Sequence, residues 1–129
     1  MIRDWDELES KKREVMGKIV VFDEQWVDYD TTVEYRVFGA SRAAKHGANA
    51  VLVRSVTPDS IGSVHAGSLH YDSSLPLICA AAITTEDADM FRRMQNRGQT
   101  IMVNLNLQSQ NVTRSSSNLV FEIAGSQFP

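Results

Sequence analysis

Apolar positions along the chain fall into short blocks separated by glycine and by polar turns. From Trp5 to Met16, the residues Trp5, Leu8, Val15 and Met16 lie near one helical face, with Asp4 and Glu7 at capping-box spacing. Gly17 supplies a left-handed closing residue. The run Lys18 to Phe22 is short, apolar and β-branched, which predicts a buried strand. After the acidic, aromatic stretch Asp23 to Asp30, a second helix is predicted from Thr31 or Thr32, with Thr31 and Glu34 as its capping box. Val33, Val37, Ala40 and Ala44 form its apolar stripe, Gly39 and the alanines give it a close-packing surface, and Gly47 stops it. Ala50 to Val53 is the next buried strand, so the order strand, helix, strand suggests a parallel pair with the helix packed on it.

The pattern then changes. Arg54 to Ser74 is rich in Ser and Gly, and its apolar residues are isolated; a loop of about 20 residues is uncommon in a compact domain and is often functional or mobile. Leu75 to Ile83 restarts the core. Thr84 or Thr85 caps a third helix through Asn96, with Glu86 and Asp87 in its first turn and Arg92, Arg93 and Arg97 toward its end, as the helix dipole favours. Ala88, Phe91 and Met94 form its inner face. Thr100 to Leu107 and Leu119 to Ile123 both alternate with period two, which predicts two further strands, the first with one wet face. The expected fold class is a mixed α/β sheet with helices packed on it.

Composition narrows the field without naming a function. The chain's 129 residues suit one domain, and 43% of them are hydrophobic. A net charge of -3 argues against a basic nucleic-acid stripe, so no nucleic-acid partner is expected. No apolar run approaches the roughly 20 residues that span a bilayer. The single cysteine, Cys79, excludes an internal disulfide framework; its setting among Leu75–Ala82 predicts a buried, inert thiol. The first residues lack the apolar core of a signal peptide, and Ala124 to Pro129 reads as a connector.

Candidate chemistry is sparse. His65, His70 and Asp72 share the long loop, but their spacing matches no metal-ligand pattern, and plain loop histidines are the favoured reading. There is no Gly-x-Ser-x-Gly elbow, and Gly39-Ala40-Ser41-Arg42 lies inside a helix rather than at a strand-to-helix turn that could cradle phosphate. Asp23, Glu24, Asp28 and Asp30 read as a solvated acidic loop before a carboxylate pair for acid–base work. Asn111-Val112-Thr113 is a glycosylation sequon in a polar segment, which favours a secreted chain.

Taken in order, Gly17-Lys18-Ile19-Val20-Val21-Phe22, Ala43-Ala44-Lys45-His46-Gly47-Ala48, Ala50-Val51-Leu52-Val53-Arg54 and the segment from Leu75-Pro76 to Thr84-Thr85-Glu86-Asp87-Ala88 resemble a protease-associated (PA) domain. Glu34-Tyr35-Arg36, Arg54-Ser55-Val56 and Ser63-Val64-His65-Ala66-Gly67 narrow the resemblance to the PA domains of the plasma glutamate carboxypeptidase (carboxypeptidase Q) family of secreted zinc exopeptidases. The resemblance covers nearly the whole chain. It implies a swivelling β/β/α fold, with a mixed sheet curled toward a barrel and flanking helices. It also implies a single, non-catalytic module, residues 1–129, cut from a larger secreted, extracellular or lysosomal chain. Zinc is then expected only in the peptidase domain of that chain, the module's main partner, with no cofactor and no catalytic residue here. Such modules shape access to the catalytic cleft or hold a peptide or protein ligand. The candidate cleft- or partner-facing residues are Ser63, His65, Gly67 and Tyr71, with Asn111 as the possible glycan site. The competing reading is a free-standing peptide-binding PA module, as in sorting receptors. An exposed contact face is expected around Trp26 and Tyr29.

Overall fold

The computed structural model describes residues 1–59, 62–110 and 112–125. Asn111 therefore lies outside the described residues, as do the last four positions of the connector. The elements are α1 (Trp5–Ser10), α2 (Lys12–Val15), β1 (Ile19–Phe22), α3 (Tyr29–Ala44), β2 (Ala50–Arg54), β3 (Cys79–Ile83) and α4 (Thr85–Asn96).

Local chemistry sets most of these boundaries. The Asp4 carboxylate caps α1 by accepting from the Glu7 amide at 2.7 Å, while the Glu7 carboxylate reaches back to the Arg3 amide at 2.7 Å. The expected single helix is interrupted at Lys11, which leaves the helical region with φ -97° and ψ 10°, so two short helices result. Leu8 and Val15 are buried as the pattern predicts, but Met16 is 72% exposed. Gly17, Gly47 and Gly98 take positive φ values of 72°, 79° and 70°, the conformation that closes a helix. The second helix starts earlier than expected. Asp28, not a threonine, is its cap, accepting from the Thr31 amide at 2.7 Å and the Thr31 hydroxyl at 3.1 Å. Thr84 caps α4 through the Asp87 amide at 3.0 Å, as its sequence suggests.

The three strands pair in the order β1-β2-β3, all parallel. Val20 pairs with Val51 and Phe22 with Val53, and this row of the sheet faces α1 and α3. Its core gathers Ile2, Leu8, Val15, Tyr35 and Ala43 around Phe22, which is fully buried. Trp5 stacks on Tyr35 with centroids 4.1 Å apart and meets Phe22 edge-on at 5.4 Å. Gly39 lies against the Phe22 ring, so the expected close approach of helix to sheet is present. On the other face, Ile19 and Val21 line a cavity of about 570 Å³ with Phe91 of α4, Ile101 and Val103. Val20 and Val51 on the first face and Val21 and Leu52 on the second are all buried, which accounts for the unbroken apolar runs of β1 and β2.

An ion cluster fastens α4 to the sheet. Asp23, at the end of β1, is fully buried and contacts both Arg92 and Arg54; the Arg54 distance is 3.1 Å. Arg54 also donates to Asp89 at 2.6 Å. Burial pushes the Asp23 carboxyl up against the pull of the two guanidinium groups. The expected solvated acidic loop is therefore wrong at Asp23, whose neighbours across the sheet supply the charge that the local sequence lacks.

Three further expectations are corrected. Among the described residues the sheet is three-stranded, parallel and open rather than mixed and curled toward a barrel. Residues 100–107 and 119–123 form no strand, and Leu119, Phe121 and Ile123 are 80%, 82% and 95% exposed. An alternating pattern says which face would be buried, but a strand also needs a hydrogen-bonded neighbour, and that is a long-range property. Only the last part of the expected strand from Leu75 pairs, and as a sheet edge it leaves Cys79 exposed rather than buried.

Candidate functional site

The long connection from β2 to β3 is held down at several of its described residues. Ser55, itself buried, donates its backbone N–H to the Ile83 carbonyl at 3.0 Å and its hydroxyl to the same oxygen at 2.7 Å, joining the ends of β2 and β3. The Ser55 hydroxyl also accepts the His65 amide at 2.9 Å, and the His65 ring meets the Val56 carbonyl. Further on, the His70 amide donates to the Val37 carbonyl at 2.9 Å and the Asp72 amide to the Ser41 hydroxyl at 2.8 Å, both on α3. Tyr71 donates its hydroxyl to the Ile78 carbonyl at 2.8 Å. The segment is a strap laid across α3, not the loosely held loop that its composition suggests.

The strap crosses a buried charge. Arg36 lies on the inner face of α3 with only 7% of its surface exposed. Tyr29, seven residues earlier on that helix, accepts from Arg36 Nη2 at 3.0 Å, and its ring lies 5.9 Å from the guanidinium carbon. Nε and Nη1 of Arg36 have no hydrogen-bond partner among the described residues. Gly67 covers the guanidinium so closely that a Cβ there would lie 2.6 Å from its central carbon. A cavity of about 120 Å³ opens beside it, lined by Arg36, Val53, Gly67, Leu69 and the alanines of β3. A larger depression of about 500 Å³ lies between Phe38, Arg42 and Lys45 of α3 and His70, Tyr71 and Asp72 of the strap.

Of the residues predicted from sequence, His65 and Gly67 come together here, with the His65 ring 6.5 Å from that of Tyr29. Tyr71 lines the neighbouring depression, and Ser63 lies exposed near the head of the strap. Trp26 and Tyr29, expected at an exposed face, are 37% and 47% exposed, and Val27 between them is 63% exposed. Among the described residues, no three His, Cys, Asp or Glu side chains converge to hold a metal ion. No helix among them is long and apolar enough to cross a membrane. Pattern reading missed Arg36, Ser41 and Ser55. The available signal was the seven-residue spacing of Tyr29 and Arg36, which puts an aromatic hydroxyl and a guanidinium on one helical face.

No protein-family model matches the chain. Over its whole length it is 45% identical to carboxypeptidase Q of Xenopus laevis and 42% identical to carboxypeptidase Q of Homo sapiens. The chain is homologous to a segment of carboxypeptidase Q. It spans 28% of either carboxypeptidase Q chain. Among solved structures, a peptidase M28 precursor from Shewanella amazonensis superposes with a TM-score of 0.65 at 30% identity, over 67% of this chain and 21% of that one.

Proposed function

We propose that the chain is the non-catalytic, protease-associated module of a carboxypeptidase Q-like peptidase, and that its strap shapes access of peptide substrates to the cleft of the adjoining peptidase domain. The observation that carries this reading is the full-length match to relatives of which the chain spans 28%. A segment of that size can fold around its own core while the reacting groups belong to the remainder. Placement of the strap supports the role. It leaves β2 at its carboxyl end, and in open parallel sheets that end is where ligands bind. His65 is exposed there, while hydrogen bonds at Ser55, Val37 and Ser41 fix the backbone that presents it. In this reading zinc is held by the peptidase domain, the module carries no cofactor of its own, and the whole protein is secreted, extracellular or lysosomal.

The test is dipeptide hydrolysis by the purified 129-residue chain, with and without added zinc, beside the full-length enzyme. The expected result is turnover by the full-length enzyme only. Turnover by the isolated chain, abolished when the strap histidines are replaced, would overturn the proposal.

A further inference from the structure

We propose that Arg36 and the strap over it form a carboxylate-binding pocket. A guanidinium is charged at every accessible pH, and moving it out of water is unfavourable unless an anion and hydrogen-bond acceptors compensate. The other deeply placed arginine obeys this rule: Arg54 is paired with Asp23 and Asp89. Arg36 is as deeply placed and has no carboxylate partner among the described residues; its acceptor is the neutral hydroxyl of Tyr29. Two of its three nitrogens remain buried and unpartnered, and Arg36 is among the residues that line the cavity.

Size and polarity select the ligand. The cavity's 120 Å³ is about four times the volume a water molecule takes in the liquid, enough for a carboxylate and a small apolar stem. Its other walls, Val53, Leu69, Ala80 and Ala82, are apolar and strengthen a charged contact by excluding water. One guanidinium balances one negative charge, so a monoanionic carboxylate is matched better than a phosphate, which carries about −1.5 to −2. Nε and Nη1 each keep an N–H for a single charge-assisted hydrogen bond to a carboxylate oxygen. Tyr29 holds Nη2 in place, and Gly67 is the one residue type that lets the strap close over the guanidinium without displacing it. The carboxylate comes either from a free peptide C-terminus or from an Asp or Glu side chain of an adjoining polypeptide. The pocket is a property of this chain and stands whether or not the chain serves a peptidase.

The Arg36 Nε–H resonance and the melting temperature of the 129-residue chain report binding directly. Acetate is expected to shift the resonance and raise Tm, with phosphate acting more weakly. Arg36→Met should abolish the acetate-dependent rise in Tm. Gly67→Ala, whose Cβ displaces the guanidinium, should weaken binding about tenfold while the chain stays folded, so the proposal remains testable if Arg36→Met does not fold. N-acetylalanine, its amide, and N-acetylaspartate blocked at the main-chain carboxyl then separate the sources: stronger binding of the first assigns a peptide C-terminus, stronger binding of the last a side chain. An Arg36 resonance unmoved by acetate, equal binding in Gly67→Ala, or preference for phosphate would overturn the proposal.

Discussion

Gly39→Ala offers a sharp test of the packing beneath the site. A Cβ added at Gly39 would lie 2.8 Å from Cε2 and 3.0 Å from Cδ2 of Phe22. Those distances are inside van der Waals contact, so either the ring or the helix must move. The ring has little room, since Phe22 is fully buried between Trp5 and Tyr35, with centroids at 5.4 Å and 5.7 Å. Overpacking a filled core costs about 1–3 kcal/mol. Alanine's better helix propensity returns up to about 1 kcal/mol. The net expectation is a loss of about 1–2 kcal/mol, or roughly 3–8 °C in Tm for a domain of this size. Urea unfolding followed by circular dichroism measures it. Combining Gly39→Ala with Phe22→Leu, which removes the ring edge, should give a coupling of about 1 kcal/mol in the favourable direction. A Gly39→Ala chain as stable as the parent, or additive losses in the double variant, would refute the close approach of α3 to β1.

Three further outcomes follow from the charges and exposures. Glu7 is partly buried, yet hydrogen bonds from Lys11 and Arg3 hold its carboxyl at about 2, below its ordinary 4.5. A lowered folded-state value stabilises above the unfolded value, so about 1–2 kcal/mol should be lost as pH falls from 4.5 toward 2, and Glu7→Gln should flatten that part of the stability–pH curve. Asp23→Ala leaves Arg54 and Arg92 facing each other without their shared carboxylate, and should cost about 3–5 kcal/mol by chemical denaturation. Cys79 is exposed at the sheet edge and should be alkylated by iodoacetamide in the native state at the rate of a free thiol, as read by mass spectrometry.

The parts of the fold legible in sequence are those governed by neighbours a few residues away. Caps at Asp4 and Thr84, stops at Gly17, Gly47 and Gly98, and the continuous apolar runs of β1 and β2 all reflect local rules. The sequence leaves the start of α3 ambiguous because Asp28 and Thr31 can each accept a backbone N–H, and only the structure shows that Thr31 donates to Asp28. Long-range pairing was less legible. Residues 100–107 and 119–123 carry strand alternation without forming strands, because nothing in their own sequence specifies a neighbouring edge. The site divided in the same way. His65, Gly67 and Tyr71 were singled out from their segment, whereas Arg36 escaped because a hydrophobic pattern places every charge outward. Of the stripe Val33, Val37, Ala40 and Ala44, the two alanines are buried and the two valines only partly so, because the buried face also takes in Tyr35, Arg36, Gly39 and Ala43, which carries the guanidinium inward.

The most direct test of the proposed role is steady-state kinetics of the full-length enzyme carrying His65→Ala and Tyr71→Ala. These changes remove the His65 contact with the Val56 carbonyl and the 2.8 Å bond to Ile78, while leaving the sheet and its core in place. If the strap shapes access, kcat/KM falls and the ranking of dipeptide substrates changes while the melting temperature of the enzyme holds. Unchanged kcat/KM with an unchanged substrate ranking would contradict it.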